Sequence, residues 1–184
     1  MEKKLLRKKH IFMRNQLPYK LVCDLSDEIT EKFIESDLYK QSKELFIYVG
    51  VKNEVNTLTI IEHALKDDRK VAVPKTYNRG IMKFFYIDSL EELVLGNFGL
   101  LEPTNILTEA ISNQQSLFLV PGIVFDKAKN RIGYGAGFYD NYLRNHLYHK
   151  SIALAYESQI EEEIPATSND VAMNLIITEK NIYK

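Results

Sequence analysis

Leu117-Phe118-Leu119-Val120-Pro121-Gly122 is a continuously apolar run stopped by Pro-Gly, and Ile123-Val124-Phe125-Asp126 follows it directly. A short apolar run with such a stop reads as a strand buried on both faces, feeding a loop at its carboxyl end. A little further on, Arg131-Ile132-Gly133-Tyr134-Gly135-Ala136-Gly137-Phe138-Tyr139-Asp140 places three glycines at alternate positions between a cation and a carboxylate. Alternating glycines let the backbone turn successive amides inward, which forms a concave nest suited to an anion. Arg131 would add a planar fork matched to phosphate oxygens. After Gly137 the spacing becomes helical, with Phe138, Tyr142 and Leu143 on one face, so the loop opens a helix whose N-terminus also favours phosphate. Asp140 lies in its first turn, where a carboxylate complements the helix dipole and, beside bound phosphates, is a natural magnesium ligand.

A bare glycine-rich run more often serves a tight turn than a ligand, and this one fits neither common phosphate motif. It is not Gly-x-x-x-x-Gly-Lys-Ser/Thr, and Phe138 stands where Gly-x-Gly-x-x-Gly requires its third glycine. The context decides. Leu45 to Gly50, Lys70 to Pro74, Met82 to Ile87, Ser151 to Tyr156 and Leu175 to Glu179 are further strand-like runs, and helical patterns separate most of them. Strands near 45–49, 70–74, 82–87, 117–121, 151–155 and 174–178 call for a largely parallel sheet covered on both faces. The expected fold is α/β, a single three-layer Rossmann-like domain over residues 1–184. In such sheets ligands sit beyond the carboxyl ends of the strands. Glu54, Pro74-Lys75, the loop after Gly122 and Tyr156-Glu157 all follow strands at that end.

At the N-terminus, Leu5, Leu6, Lys9, Phe12, Met13 and Leu17 approximate an apolar helical stripe ended by Pro18, with Lys3, Lys4, Arg7, Lys8 and Arg14 on the remaining surface. Leu21, Val22, Leu25, Ile29, Phe33 and Ile34 form the apolar face of a second helix. Thr57 reads as the N-cap of a third, carrying Leu58, Ile60, Ile61, Ala64 and Leu65.

Composition narrows the class. The 184 residues, 45% apolar and 27% charged, are ordinary for one soluble globular domain. The single cysteine, Cys23, cannot form an internal disulfide and suits a reducing cytoplasm, where it reads as core filler. No apolar run approaches the roughly 20 residues needed to span a bilayer. The formal net charge of −1 gives no global attraction to nucleic acid, although seven Lys/Arg and one acid fall in the first 20 residues. The histidines, His10, His63, His146 and His149, form no metal or triad spacing and read as surface or helix residues.

Taken together, Val120-Pro121-Gly122, Phe125-Asp126, Arg131, Gly133-Tyr134-Gly135, Gly137-Phe138-Tyr139-Asp140 and Leu143 resemble the signature of the 5-formyltetrahydrofolate cyclo-ligase family, also called methenyltetrahydrofolate synthetase. The resemblance runs along nearly the whole chain: Lys3-x-x-Leu6-Arg7, Glu54-x-x-Thr57, the Gly-x-x-Gly-x-x-Glu-Pro connection at residues 96–103, Glu157-x-Gln159, then Pro165, Asp170 and Ile177-Thr178-Glu179. It implies ATP-dependent closure of 5-formyltetrahydrofolate to 5,10-methenyltetrahydrofolate, with ATP as co-substrate and Mg2+ as cofactor. By the same resemblance Lys3, Lys4, Arg7, Arg131, Gly133, Tyr134, Gly135, Ala136, Gly137, Phe138 and Tyr139 meet ATP. Val49, Glu54 and Tyr139 meet the folate, Asp140 and Asp170 hold the metal, and Arg131 and Tyr139 are the expected catalytic side chains. Many relatives carry Asp where this chain has Asn174, so the metal assignment rests on Asp170. The expected partners are small molecules alone, with the protein a cytoplasmic monomer. Two other readings compete, a nucleotide- or phosphosugar-binding module without ligase chemistry and an RNA-binding protein using the basic N-terminus. Salt-sensitive RNA retention would mark the second.

Overall fold

The structure is a computed structural model that describes residues 2–77, 80–96, 99–104, 106–146 and 150–184. The chain begins with helices α1 (Lys3–Asn15), α2 (Tyr19–Glu35) and the short α3 (Asp37–Gln41), then enters strand β1 (Glu44–Ile47). Helix α4 (Leu58–Lys66) leads to β2 (Lys70–Thr76) and β3 (Met82–Ile87), followed by the short strands β4 (Leu93–Leu95), β5 (Leu101–Pro103) and β6 (Glu109–Ala110). Strand β7 (Ser116–Leu119) precedes the β8 (Val124–Asp126) and β9 (Arg131–Ile132) pair, and helix α5 (Phe138–Arg144) returns the chain to β10 (Lys150–Leu154). Strands β11 (Ile160–Glu161), β12 (Leu175–Ile177) and β13 (Ile182–Tyr183) close it.

The main sheet has the order β13-β12-β10-β7-β1-β2-β3-β6. Its five central strands, β12 to β2, are parallel, and antiparallel neighbours flank them on both sides. Successive side chains of a strand point to opposite faces, so each apolar run supplies both layers. Leu45, Ile47, Val71, Val73, Leu117, Leu119, Ile152 and Leu154 join Val22, Ile29 and Phe33 of α2 and Ile60, Ile61 and Ala64 of α4 in one core. Phe46, Ala72, Phe118, Ala153 and Ile176 face the other way, toward Leu143, Phe138 and Tyr142 of α5. The α/β fold with a largely parallel sheet is therefore as expected.

Three local expectations change. Helix α1 does not bury the anticipated stripe: Leu5, Phe12 and Met13 are exposed, Phe12 by 65%, and its buried face is Leu6, His10 and Arg14. That face docks on the small sheet β11-β8-β9, where Leu6 packs with Ile123, Val124, Ile132 and Ile164. Helix α3 was not anticipated; Ser36 caps it by accepting the Tyr39 N–H at 3.2 Å. Thr57 precedes α4 but makes no cap hydrogen bond. Its hydroxyl donates to the Tyr48 carbonyl at 2.7 Å and accepts the Gly50 N–H at 3.0 Å, which pins the chain as it leaves β1.

Candidate active site

A cavity of about 720 Å³ opens beyond the carboxyl ends of β1 and β2, where the fold class places ligands. Strand β1 ends two residues earlier than its apolar run, so Tyr48 and Val49 leave the sheet and line this cavity. The loop after β9 forms the facing wall, from Gly133 to Asp140. Lys3 and Arg7 reach the cavity from α1, and Asp170 from the segment before β12. All of the side chains expected at the site meet here except Lys4, which is exposed on α1 and does not line the cavity.

The glycine loop differs from the simple nest in one respect. Gly135 (φ 103°) and Gly137 (φ 72°) adopt left-handed backbone, whereas Gly133 does not. Gly133 makes room for Arg131 instead, since a Cβ there would lie 2.7 Å from Arg131 Nη1 and the guanidinium would have to shift. Arg7 closes over the loop, its Nε donating to the Gly133 carbonyl at 2.8 Å. Gly137 then starts α5, leaving the helix N-terminus at the cavity wall.

Arg131 does not extend an open fork. Its guanidinium is buried, with Nη2 donating to Asp140 Oδ1 at 2.8 Å and Nη1 to the Pro121 carbonyl at 3.3 Å. Lys3 Nζ donates to Asp170 Oδ2 at 2.5 Å, and Thr167 adds its N–H and hydroxyl to the same oxygen. Burial works against ionisation of Asp170, yet the hydrogen bonds from Lys3 and Thr167 outweigh it and hold this carboxyl below its ordinary range. Both expected metal ligands thus stand at the same wall. Among the described residues the second oxygens, Asp140 Oδ2 and Asp170 Oδ1, accept no hydrogen bond. Two half-satisfied carboxylates beside an anion nest fit Mg2+, which takes one or two protein carboxylates and completes its shell with waters and phosphate oxygens. They form no closed protein cage, and no group of three metal-binding side chains occurs among the described residues.

At the other end Glu54 is 7% exposed. Its Oε2 accepts the Val51 N–H at 3.0 Å, and its Oε1 accepts from the Tyr134 hydroxyl at 2.5 Å. Arg14 Nη2 donates to that hydroxyl at 2.6 Å and Arg14 Nη1 lies 3.6 Å from Glu54 Oε1. Arg14, expected on a solvated face, is 4% exposed. Burial, reinforced by the Glu54 charge, pushes the phenols of Tyr48 and Tyr139 far above their usual range and that of Tyr134 up to about 12. All three therefore remain donors. Among the described residues the Tyr139 hydroxyl, shut off from solvent, has no hydrogen-bond partner, which leaves it a donor without an acceptor.

Some matched positions serve the fold. Glu157 accepts from Thr178, Asn181 and Tyr183 and does not line the cavity, so Tyr156-Glu157 is not part of the site its strand-end position suggested. Gln159 donates to the Gly122 and Ile123 carbonyls. Asn174 Oδ1 accepts from Ser151 N at 2.7 Å, tying β12 to β10 and placing residue 174 outside the metal question. Glu102 accepts from the Thr76 N–H and hydroxyl, which holds the β4–β5 hairpin against β2; residues 97 and 98 of that connection lie outside the described residues. His10 is buried with Nε2 2.7 Å from Glu161 Oε1, not a surface residue, and His149 lies outside the described residues. Lys52, Met82 and Arg144 line the cavity without having been singled out, since only the fold brings them there.

The model of the 5-formyltetrahydrofolate cyclo-ligase family matches residues 1–179. The probable 5-formyltetrahydrofolate cyclo-ligase of Schizosaccharomyces pombe is 25% identical over 180 residues, covering 89% of this chain and 88% of that protein. Two solved structures superpose closely. The 5,10-methenyltetrahydrofolate synthetase of Aquifex aeolicus matches with a TM-score of 0.88 at 27% identity, covering 100% of this chain and 93% of its own. That of Mycoplasma pneumoniae gives 0.80 at 25% identity, covering 97% and 99%.

Proposed function

The chain belongs to the 5-formyltetrahydrofolate cyclo-ligase family, and from that premise we propose how the cavity performs the family's ATP-dependent closure of 5-formyltetrahydrofolate to 5,10-methenyltetrahydrofolate. The observation that carries the reading is the convergence, on one cavity, of a phosphate-binding wall and a wall built on a buried carboxylate. Family membership sets aside the two competing readings, the binding module without ligase chemistry and the RNA-binding protein.

The chemical difficulty lies in the formamide, whose oxygen is a poor leaving group. Attack of that oxygen on the γ-phosphorus of ATP releases ADP and converts the oxygen into a phosphate ester. The position-10 nitrogen then attacks the formyl carbon and gives up its proton, the carbon–oxygen bond breaks, and phosphate departs with the electron pair, leaving as hydrogen phosphate with that proton. Such a sequence asks the protein for positioning and charge neutralisation and needs no nucleophilic side chain.

Lys3, Arg7 and the amides of residues 133–139 hold the polyphosphate in this reading. Arg131 contributes charge and fixes Asp140, which with Asp170 would hold Mg2+; bound there, the metal supplies neutralisation of the phosphate oxygens. Glu54 accepts from the N–H groups of the pterin, and Val49 packs against it. Tyr139 offers its unpartnered hydroxyl to the formyl or transferring oxygen. Cys23 stands apart on α2, half-buried, and suits a reducing cytoplasm, where we place the protein as a monomer. No helix among the described residues is long and apolar enough to cross a membrane.

The test is to mix protein, magnesium-ATP and 5-formyltetrahydrofolate and follow the near-ultraviolet absorbance of the methenyl product. Product formation that requires ATP is expected, and its absence would overturn the reading. EDTA should abolish turnover; undiminished turnover in metal-free buffer would remove Mg2+ from the scheme.

A further inference from the structure

Glu54 presents a difficulty as a folate anchor, because its side chain is only 6% exposed. Something has to uncover it before a substrate can use it. Of its three partners, the Val51 N–H is local backbone and Arg14 is itself buried. Tyr134 is different: it is 50% exposed, so moving it costs little packing, and the glycine loop carries it.

The same loop has a second tether one residue away, where Arg7 Nε donates to the Gly133 carbonyl. Arg7 also lies close against Gly135, its Nη2 3.5 Å from where a Cβ would stand. The segment Gly133–Gly135 is thus fastened at two adjacent residues, to the nucleotide side through Arg7 at Gly133 and to the folate side through Tyr134. Each tether uses a group that a substrate needs.

We propose that Tyr134 couples the two substrate sites. Folate takes Glu54 from the Tyr134 hydroxyl, which moves off with the loop and gives up the hydrogen bond from Arg14 Nη2, and polyphosphate takes Arg7 from the Gly133 carbonyl. Either ligand loosens the segment that the other must move. The first to bind bears the cost of release and the second does not, which makes the binding of the two mutually favourable and reciprocal. Arg14 is a positioning residue in this scheme: it stays behind Glu54, whichever partner the carboxylate has.

This inference rests on the assignment of Glu54 to the folate, and its test separates the two. Calorimetry measures the dissociation constant of 5-formyltetrahydrofolate with and without a non-hydrolysable ATP analogue, in the wild-type protein and in Tyr134→Phe. The wild-type protein should bind folate at least about fivefold tighter when the analogue is present. Tyr134→Phe removes both hydrogen bonds of the hydroxyl, to Glu54 and from Arg14, and keeps the ring, so it should bind folate tighter than wild type in the absence of nucleotide, with the nucleotide effect reduced toward one. Loss of folate affinity in Tyr134→Phe would make the hydroxyl a direct ligand contact, and an unchanged nucleotide effect would show that the tether couples nothing; either overturns the proposal. Failure of the wild-type protein to bind 5-formyltetrahydrofolate would instead sink the functional reading itself.

Discussion

Helices α1 and α2 are consecutive and similar in length, yet they are held to the molecule in opposite ways. Helix α2 buries Val22, Ile29 and Phe33 against the main sheet, beside α4. Helix α1 buries Leu6, His10 and Arg14, and polar pairs secure it: Lys3 to Asp170, Lys9 and His10 to Glu161, Arg14 to Glu54 and Tyr134. A face held by apolar area is indifferent to ligands and to pH, because nothing in it ionises or competes with a substrate. One held by charges responds to both. The comparison teaches that α1 is attached in part through side chains that line the cavity, Lys3 and Asp170 at one end and, through Arg14, Glu54 and Tyr134 at the other.

The comparison breaks most sharply on the core side. Phe33→Ala should cost about 3–5 kcal/mol in denaturant unfolding, as deletion of a fully buried aromatic ring does, with little change in the folate KM of the protein that remains folded. A cost below about 1 kcal/mol would mean that α2 is not anchored by area. On the α1 side, Arg14→Met keeps the volume and removes the charge. It should cost about 2 kcal/mol, the worth of a hydrogen bond to a charged group in a buried site, and should also weaken folate binding. A stability loss without any change in folate KM would reduce Arg14 to a structural strut.

Arg7→Ala sharpens the contrast further, since it should lower nucleotide affinity about tenfold, the order expected for one charged hydrogen bond, while leaving stability within about 0.5 kcal/mol. Lys8→Ala should change neither, and Lys4→Ala should behave like Lys8→Ala, because both side chains are exposed and outside the cavity lining. Equal nucleotide dependence of the Arg7, Lys4 and Lys8 variants would make the N-terminal charge ordinary surface.

The smallest effect is with pH. The hydrogen bonds from Lys9 and His10 hold the Glu161 carboxyl below its ordinary range, and those from Lys3 and Thr167 do the same for Asp170 against the effect of burial. A carboxyl whose folded pKa is depressed stabilises the fold above its unfolded value, near 4, and loses that contribution as pH falls through the folded value. Both groups are partly exposed, so each contributes no more than about 1 kcal/mol. Amide exchange should therefore show α1 loosening below about pH 4 while α2 stays protected. Simultaneous loss of both helices would erase the distinction between them.

How much could be read in advance follows the same division. Every strand of the parallel core was legible, because a strand buried on both faces is apolar at every position and needs no partner to be recognised. Helix α2 was legible for a related reason: its apolar residues recur at helical spacing. The stripe assigned to α1 was wrong, since Leu5, Phe12 and Met13 are apolar and exposed, while His10 and Arg14 are polar and buried. Periodicity assumes that the inside is apolar, and the surface α1 meets sets the charged Glu54, Glu161 and Asp170 around a small apolar cluster of Ile123, Val124, Ile132 and Ile164. Thr57 failed similarly; its hydroxyl found carbonyl and amide groups of the β1 exit instead of its own helix.

Local spacing was enough to place the glycine loop, the carboxylate at the head of α5, and the sheet with its carboxyl-end cavity, since each depends on neighbours within one element or on the order of elements. What each charge is attached to was decided only by folding. Arg131 turning inward to Asp140, Lys3 crossing to Asp170 and Arg14 reaching Glu54 through Tyr134 all join residues far apart in the chain or turned away from the direction their spacing suggested. An ion pair forms where burial removes water and leaves two opposite charges within reach, and that distance exists only once helix, sheet and loop have met.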